Sequence, residues 1–188
     1  QTKDRLVEVG QRGIWKKPLG EGQYYLHTAA YEATIIDTRQ ATISYTPEKD
    51  KPGVAEAISP MTVRSIDGFT FPVDIRVTYQ IDRDNAPRVV ATVGDDVMVL
   101  AKLVTPSVRA IFRNNAEKVK ALDYVQQRSL QEQQSNTLLK EELNKYGVTL
   151  LAVRIGDVGN ELTLGALLKT QTDREIALQQ QKTFEEQQ

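Results

Sequence analysis

A long alternation of apolar and polar residues marks positions 61–81. From position 69 to position 81 every odd residue is apolar and every even residue is not. A period of two is typical of a strand with one buried and one solvated face. Asp67-Gly68 separates this run from a weaker alternation before it, and Asp-Gly favours a type I′ turn. We therefore predict a β-hairpin whose apolar face other segments must cover.

The residues before this hairpin are also rich in β-forming residues. Residues 5–10 and 13–15 are predicted to form a small hairpin around the turn G-Q-R-G, with further strands at 24–27 and 31–45. Residues 46–60 contain three prolines, a glycine and several charges, which predicts a loop.

After position 81 the apolar spacing changes to three and four, which favours helices. A first helix is predicted at 86–93, with Pro87 in its first turn and Gly94 after its end. Asp95 is predicted to cap a second helix. Pro106 is expected to kink that helix or to end its first half.

A third helix and a returning strand complete the predicted body. The helix is predicted at 122–146 and the strand at 148–158, where apolar and polar residues alternate again. The expected apolar stripe of the helix is Leu122, Val125, Leu130, Leu138, Leu139, Leu143 and Tyr146. These elements predict an α+β fold, with an antiparallel-rich mixed sheet covered by helices and followed by a projecting C-terminal helix.

The last stretch, residues 161–188, differs from the body at 1–158. It begins with several leucines but continues mainly in Gln, Glu, Lys and Arg. Such a helix is too polar to enter a core, and it is expected to project and to pair with a copy of itself or a partner. The residues predicted for oligomerisation are Leu164, Leu167, Leu168, Ile176, Phe184 and Arg128.

Composition narrows the function classes. The chain has 188 residues, 24 basic and 25 acidic, for a net charge of −1, so no global field attracts nucleic acid. It has no cysteine, which excludes disulfides and thiolate metal sites. No apolar run approaches the roughly 20 residues that span a bilayer. Because the chain begins at Gln1 without a Met, it is expected to be a piece of a longer protein.

The sequence contains no set of residues that is typical of a catalytic site. The single histidine, His27, is interpreted as an ordinary structural or surface residue, and no phosphate-binding or zinc motif is present. The carboxylates at 82–84 and 95–96 are interpreted as helix caps. We therefore expect no enzyme, no catalytic residue, no cofactor and no metal. A hydrolase built on Asp74, Asp82 or Asp95 is kept as an alternative.

A small basic group lies near the start of the chain. Arg12, Lys16 and Lys17 fall on the first predicted hairpin and are candidates for contact with an anionic membrane surface. A solvated strand edge is the alternative explanation. Arg128 interrupts the stripe of the third helix and is expected to make an ion pair or an inter-subunit contact.

Several motifs in order resemble the SPFH or band 7 family of stomatins, prohibitins, flotillins and bacterial relatives. They are V-E-V-G-Q-R-G-I at 7–14, I-I-D-T-R at 35–39, V-R-S-I-D-G-F-T-F-P-V-D-I-R-V-T-Y at 63–79, L-V-T-P-S-V-R at 103–109 and Y-G-V-T-L-L-A-V-R-I-G-D-V at 146–158. The resemblance covers nearly the whole chain. It departs at L-G-E-G-Q-Y-Y-L-H, where family members usually carry a Pro-Gly-x-His-like turn.

The resemblance implies a non-enzymatic scaffold on one side of a membrane. Such proteins are anchored by an upstream hydrophobic segment and assemble with themselves or a related paralogue. They organise membrane microdomains or regulate membrane proteases or other membrane proteins such as channels. A soluble shell component of the vault-shoulder kind is the alternative within this resemblance.

Overall fold

The computed structural model describes residues 6–46, 57–58, 60–159 and 161–186. It describes the backbone alone at 57–58, 161–164 and 184–186. The strands are β1 Leu6–Val7, β2 Ile14–Trp15, β3 Ala41–Tyr45, β4 Ala57–Ile58, β5 Met61–Arg64, β6 Thr70–Ile81 and β7 Val148–Val158. The helices are α1 Ala86–Thr92, α2 Asp96–Met98, α3 Thr105–Ala116, α4 Ala121–Gln126, α5 Arg128–Asn144 and α6 Glu161–Glu186. A 3-10 turn at Arg83–Asn85 precedes α1, and a π-helix at Val99–Val104 joins α2 to α3.

Strand β6 is the centre of the main sheet. Its first residues pair antiparallel with β5, and its later residues pair antiparallel with β3 on one edge and β7 on the other. The short strand β4 adds a parallel pairing to β3. With helices on one face of this sheet and α6 at the C-terminal end, the predicted α+β class is confirmed.

The apolar face of β6 carries the core, as its alternation predicts. Its buried side chains are Phe71, Val73, Ile75, Val77, Tyr79 and Ile81. Side chains of α3 and α5 cover this face, among them Phe112 and Leu139, both fully buried. The hairpin is therefore the structural spine that the sequence indicates.

The turn between β5 and β6 differs from the predicted one. Ser65 N donates to Phe69 O at 2.9 Å, so three residues, not two, form the loop. Gly68 has a φ of 87°, but no described residue other than glycine has a positive φ. A type I′ turn requires a positive φ at Asp67 as well, so that prediction is wrong. The Asp67 carboxylate instead accepts hydrogen bonds from Ser65 Oγ and from Ala121 N, which ties the loop to α4.

The N-terminal residues contain less strand than predicted. Strands β1 and β2 pair in parallel, so they are not the predicted hairpin. No strand forms at 24–27, and the strand predicted at 31–45 is confined to β3. Within the predicted loop at 46–60, β4 forms and residues 47–56 and 59 lie outside the described part. Residues 16–40 follow an irregular path because Pro18 and several glycines interrupt the chain before any strand gains a partner.

The second helix changes register in its middle. Asp95 Oδ1 accepts from Met98 N at 2.9 Å, which confirms the predicted cap. The next residues form the π-helix, in which Thr105 N donates to Leu100 O. Val97, in α2, is exposed, whereas Val99, the first residue of the π-helix, is fully buried. The π-helix ends at Val104, two residues before Pro106, where the sequence predicts a disruption.

The third helix is divided into α4 and α5 at Gln127, which has φ −103° and ψ 36°. The predicted stripe is correct for Leu139 and Leu143 but wrong for Leu130 and Leu138, which are exposed. Polar residues occupy much of the buried face instead, namely Gln131, Ser135 and, from α3, Asn115. Asn115 Nδ2 donates to Ser135 Oγ at 3.0 Å, which satisfies both groups inside the helical layer.

The C-terminal helix joins the core at its beginning. Leu167 is 2% exposed and belongs to the same apolar cluster as β6. Arg174 Cζ lies 5.8 Å from the ring centre of Phe69, beside the hairpin loop. The expectation that this helix is too polar to enter a core is therefore wrong for its first turns.

This anchoring predicts a contrast between two adjacent leucines. Leu167→Ala should lower the free energy of unfolding by about 2–5 kcal/mol, because it leaves a cavity in the core. Leu168→Ala is the matched control, since Leu168 is 53% exposed and should change that energy by less than about 0.5 kcal/mol. Urea unfolding of dilute protein measures both, and equal losses would contradict the anchoring of α6.

Candidate functional site

The far part of α6 is an exposed helical surface. Residues 172–183 are all exposed, so the described helix leaves the body in this part, with Arg174 still over the Phe69 ring near its start. Two apolar side chains in this part, Ile176 and Leu178, lie in solvent. An exposed helix with apolar side chains gains stability when a partner covers them.

The residues predicted for oligomerisation do not share one surface. Leu168 and Ile176 are exposed on α6, whereas Leu167 is in the core and does not face a partner. The side chains of Leu164 and Phe184 lie outside the described residues. Leu178, which the sequence prediction omitted, is more exposed than either Leu168 or Ile176.

Arg128 holds the edge of the sheet. Its Nη1 donates to the carbonyl of Gly156 at 3.0 Å, and Glu132, one turn later on α5, accepts from Ile155 N at 2.9 Å. Gly156 lies at a β-bulge opposite Asp74, where an added Cβ would be 2.8 Å from Asp74 Oδ2. Arg128 therefore makes an intrachain hydrogen bond, and its predicted inter-subunit contact stays a prediction.

Glu132 was missed from sequence, although its spacing carries a signal. Arg128 and Glu132 are four residues apart, so they lie on one face of α5. That face points to the outer edge of β7, where the bulge turns a carbonyl and an amide away from β6. The two side chains together form an edge clamp on β7.

Residues 6–40 form an N-terminal arm with exposed aromatic and aliphatic side chains. Tyr25 is 92% exposed and Ile35 is 87% exposed, with Tyr24 and Tyr31 also exposed. The arm lies near the end of β6, since Gln80 Nε2 donates to Thr38 O at 2.8 Å. Tyrosine and aliphatic side chains exposed together suit a membrane interface.

The three basic residues of the arm are not equally available. Lys16 Nζ is 3.0 Å from Glu8 Oε1, so its charge is already paired. Arg12 and Lys17 are exposed and make no salt bridge within the described residues. The predicted membrane-surface group is reduced to two unpaired cations, which places more weight on the apolar residues of the arm.

The carboxylates considered for catalysis lie in separate places. Asp82 Oδ2 accepts from Thr149 Oγ1 at 2.8 Å, Asp95 caps α2, and Asp74 lies beside Gly156 at the bulge. Asp74 and Asp82 are eight residues apart on an extended strand, about 26 Å. His27 is exposed on the arm. These groups do not converge on one substrate.

A groove of about 610 Å³ opens between α3 and α5. Its middle is apolar, with Ile111 and Leu138, and its ends carry charges, including Lys118 and Glu141. None of the three carboxylates considered for catalysis lines it. The apolar middle and charged ends suit a helix better than a small polar substrate.

The described residues contain no group of three or more His, Cys, Asp or Glu residues that would hold a metal ion. Among the described helices, none is both long enough and apolar enough to cross a bilayer.

Comparison with known proteins decides the family. The model of the SPFH domain / Band 7 family matches residues 5–188. The chain belongs to this family. SPFH proteins are generally non-enzymatic and membrane-associated. A search of curated proteins found no match to this SPFH chain.

Removal of the edge clamp should make the backbone amide of Ile155 exchange its hydrogen faster. Glu132→Ala should lower the free energy of unfolding by about 1–3 kcal/mol, because the half-buried amide of Ile155 loses its acceptor. Glu132→Gln keeps an acceptor oxygen and should lose less, while Gln134→Ala, exposed on the same helix, should be neutral. Hydrogen exchange at the Ile155 amide reports the effect, and unchanged protection in Glu132→Ala would refute the clamp.

Proposed function

We propose that this SPFH chain is a non-enzymatic, membrane-associated scaffold that assembles with copies of itself or with a related paralogue. The observation that carries the proposal is the exposure of α6 beyond Gln171. A helix that is anchored at one end and bare at the other presents apolar side chains at a fixed place on the body. That arrangement suits assembly, because Leu167 in the core fixes the position of the exposed surface of α6 that a partner would contact.

The N-terminal arm supports membrane association. Its exposed tyrosines and Ile35 would gain about 25 cal/mol for each Å² of apolar surface removed from water. Arg12 and Lys17 add attraction to anionic lipid, about 1 kcal/mol for each cation near the surface. An upstream hydrophobic segment would strengthen this contact in a longer protein.

The scaffold would act by bringing other molecules together on the membrane. It would organise microdomains or regulate a membrane protease, a channel or another membrane protein. A soluble shell component also needs assembly but does not need lipid, so binding to vesicles separates that alternative from the membrane scaffold.

Removal of the exposed part of α6 tests assembly. A chain ending at Gln171 keeps Leu167 and should unfold in urea as cooperatively as the whole chain, with a helical circular dichroism signal lower by the residues removed. It should lose concentration-dependent association. Sedimentation velocity over a concentration series measures this against the whole chain. If both chains associate equally, or if the whole chain stays monomeric throughout, the assembly proposal fails.

Substitution in the arm tests membrane contact. Tyr25→Ser with Ile35→Ser should reduce partition onto phosphatidylcholine vesicles containing phosphatidylserine by about tenfold or more, since each side chain contributes about 1.5–3 kcal/mol when fully buried. Ile66→Ser is the control, because Ile66 is 63% exposed but lies on the hairpin loop far from the arm. Vesicle flotation measures binding, and equal binding of all variants would exclude the arm as the contact.

A further inference from the structure

We infer that the exposed part of α6 of one copy docks in the groove between α3 and α5 of a second copy. This interface rests on the proposed assembly and specifies its geometry. The groove is apolar at Ile111 and Leu138 and open to solvent, and its volume of about 610 Å³ is large enough to receive side chains.

The charges of the groove have a fixed order. Helices α3 and α5 run antiparallel, since Asn115 contacts Ser135 near one end and Pro106 lines the groove with Lys145 near the other. Lys118 therefore lies at the end beside Asn115, whereas Glu141 lies about 9 Å further along α5 from Ser135. Lys145 is already paired with Glu142 at 2.6 Å, but Lys118 and Glu141 make no salt bridge within the described part of the chain.

One face of α6 has the complementary order. Leu167, Gln171, Arg174 and Leu178 follow the helical spacing of four, three and four residues, so they form one stripe. Leu167 packs in the core and Arg174 packs on Phe69, while Leu178 continues the stripe beyond the body and is 60% exposed. Its neighbours on this face are Glu175 and Lys182.

The order of charges along α6 is complementary to the order along the groove when α6 runs parallel to α5. Glu175 then meets Lys118, Leu178 meets Ile111 and Leu138, and Lys182 meets Glu141. Glu175 and Lys182 are seven residues apart, about 10 Å along the helix axis, whereas Lys118 and Glu141 are about 13–14 Å apart along the groove. The long side chains of Lys118 and Lys182 span the remaining few Å. The opposite direction would place like charges together at both ends.

The groove must belong to another copy. Arg174, midway along α6, lies over Phe69 beside the hairpin loop, at the beginning of β6. The far end of the groove lies near the end of β6, because Arg88 Nη2 donates to Lys145 O and Thr149 bonds Asp82. The helix does not fold back, since residues 172–183 are exposed. Two different surfaces on one chain produce a head-to-tail contact, which builds rings or filaments.

Cysteine cross-linking tests this contact without interference from native cysteines. Leu138→Cys and Leu178→Cys chains are mixed and oxidised, and the linked peptides are identified by mass spectrometry. A 138–178 disulfide between copies is expected. Ile176→Cys is the control, since two residues rotate the side chain by about 200° on the helix and should give much less product with Leu138→Cys.

A charge exchange tests the direction of docking. Lys118→Glu and Glu175→Lys should each raise the apparent dissociation constant about two- to fivefold, and the two together should restore it. Both residues are exposed, so folding should be unchanged. Losses that add in the double variant overturn the pairing.

The outcomes separate this inference from the proposed function. Association with only 178–178 disulfides overturns groove docking but retains the scaffold, because the tails then pair with each other. A chain that stays monomeric at every concentration, with and without vesicles, overturns both.

Discussion

The pairing of β6 with three other strands is the constraint on which the rest of the structure depends. β6 hydrogen-bonds to β5, β3 and β7, so it positions strands from both ends of the chain. Its fully buried residues, such as Val73 and Ile75, are the floor on which α3 and α5 pack. The groove between these helices and the anchor of α6 both take their positions from this one strand.

The sequence predicts best the elements in which each face meets a single environment, either the core or solvent. β6 alternates cleanly because one face meets the helices and the other meets solvent. The alternation of β7 breaks at its two register shifts. The helices are harder because their buried face is partly polar. Gln131 and Ser135 occupy core positions on α5, so the apolar stripe misleads at Leu130 and Leu138. The apolar spacing of three and four also does not distinguish the π-helix at Val99–Val104 from an α-helix.

The candidate surfaces were predictable in kind but not in detail. An exposed, polar C-terminal helix follows from its composition, yet the burial of Leu167 depends on a cavity formed by distant segments. The role of Arg128 also required the structure, because its acceptor is a carbonyl freed by a bulge in β7. Irregular backbone in the arm explains why aromatic residues that suggested strands are exposed instead.

The edge clamp has a consequence for a protein that gathers many copies of itself on a surface. Crowded subunits bring their sheet edges together, and an unpaired strand edge is a template for irreversible cross-β aggregation. Arg128 and Glu132 occupy the backbone groups of β7 where the bulge exposes them. At this bulge they block strand-to-strand growth, which leaves helical contacts as the route by which subunits can join and separate again.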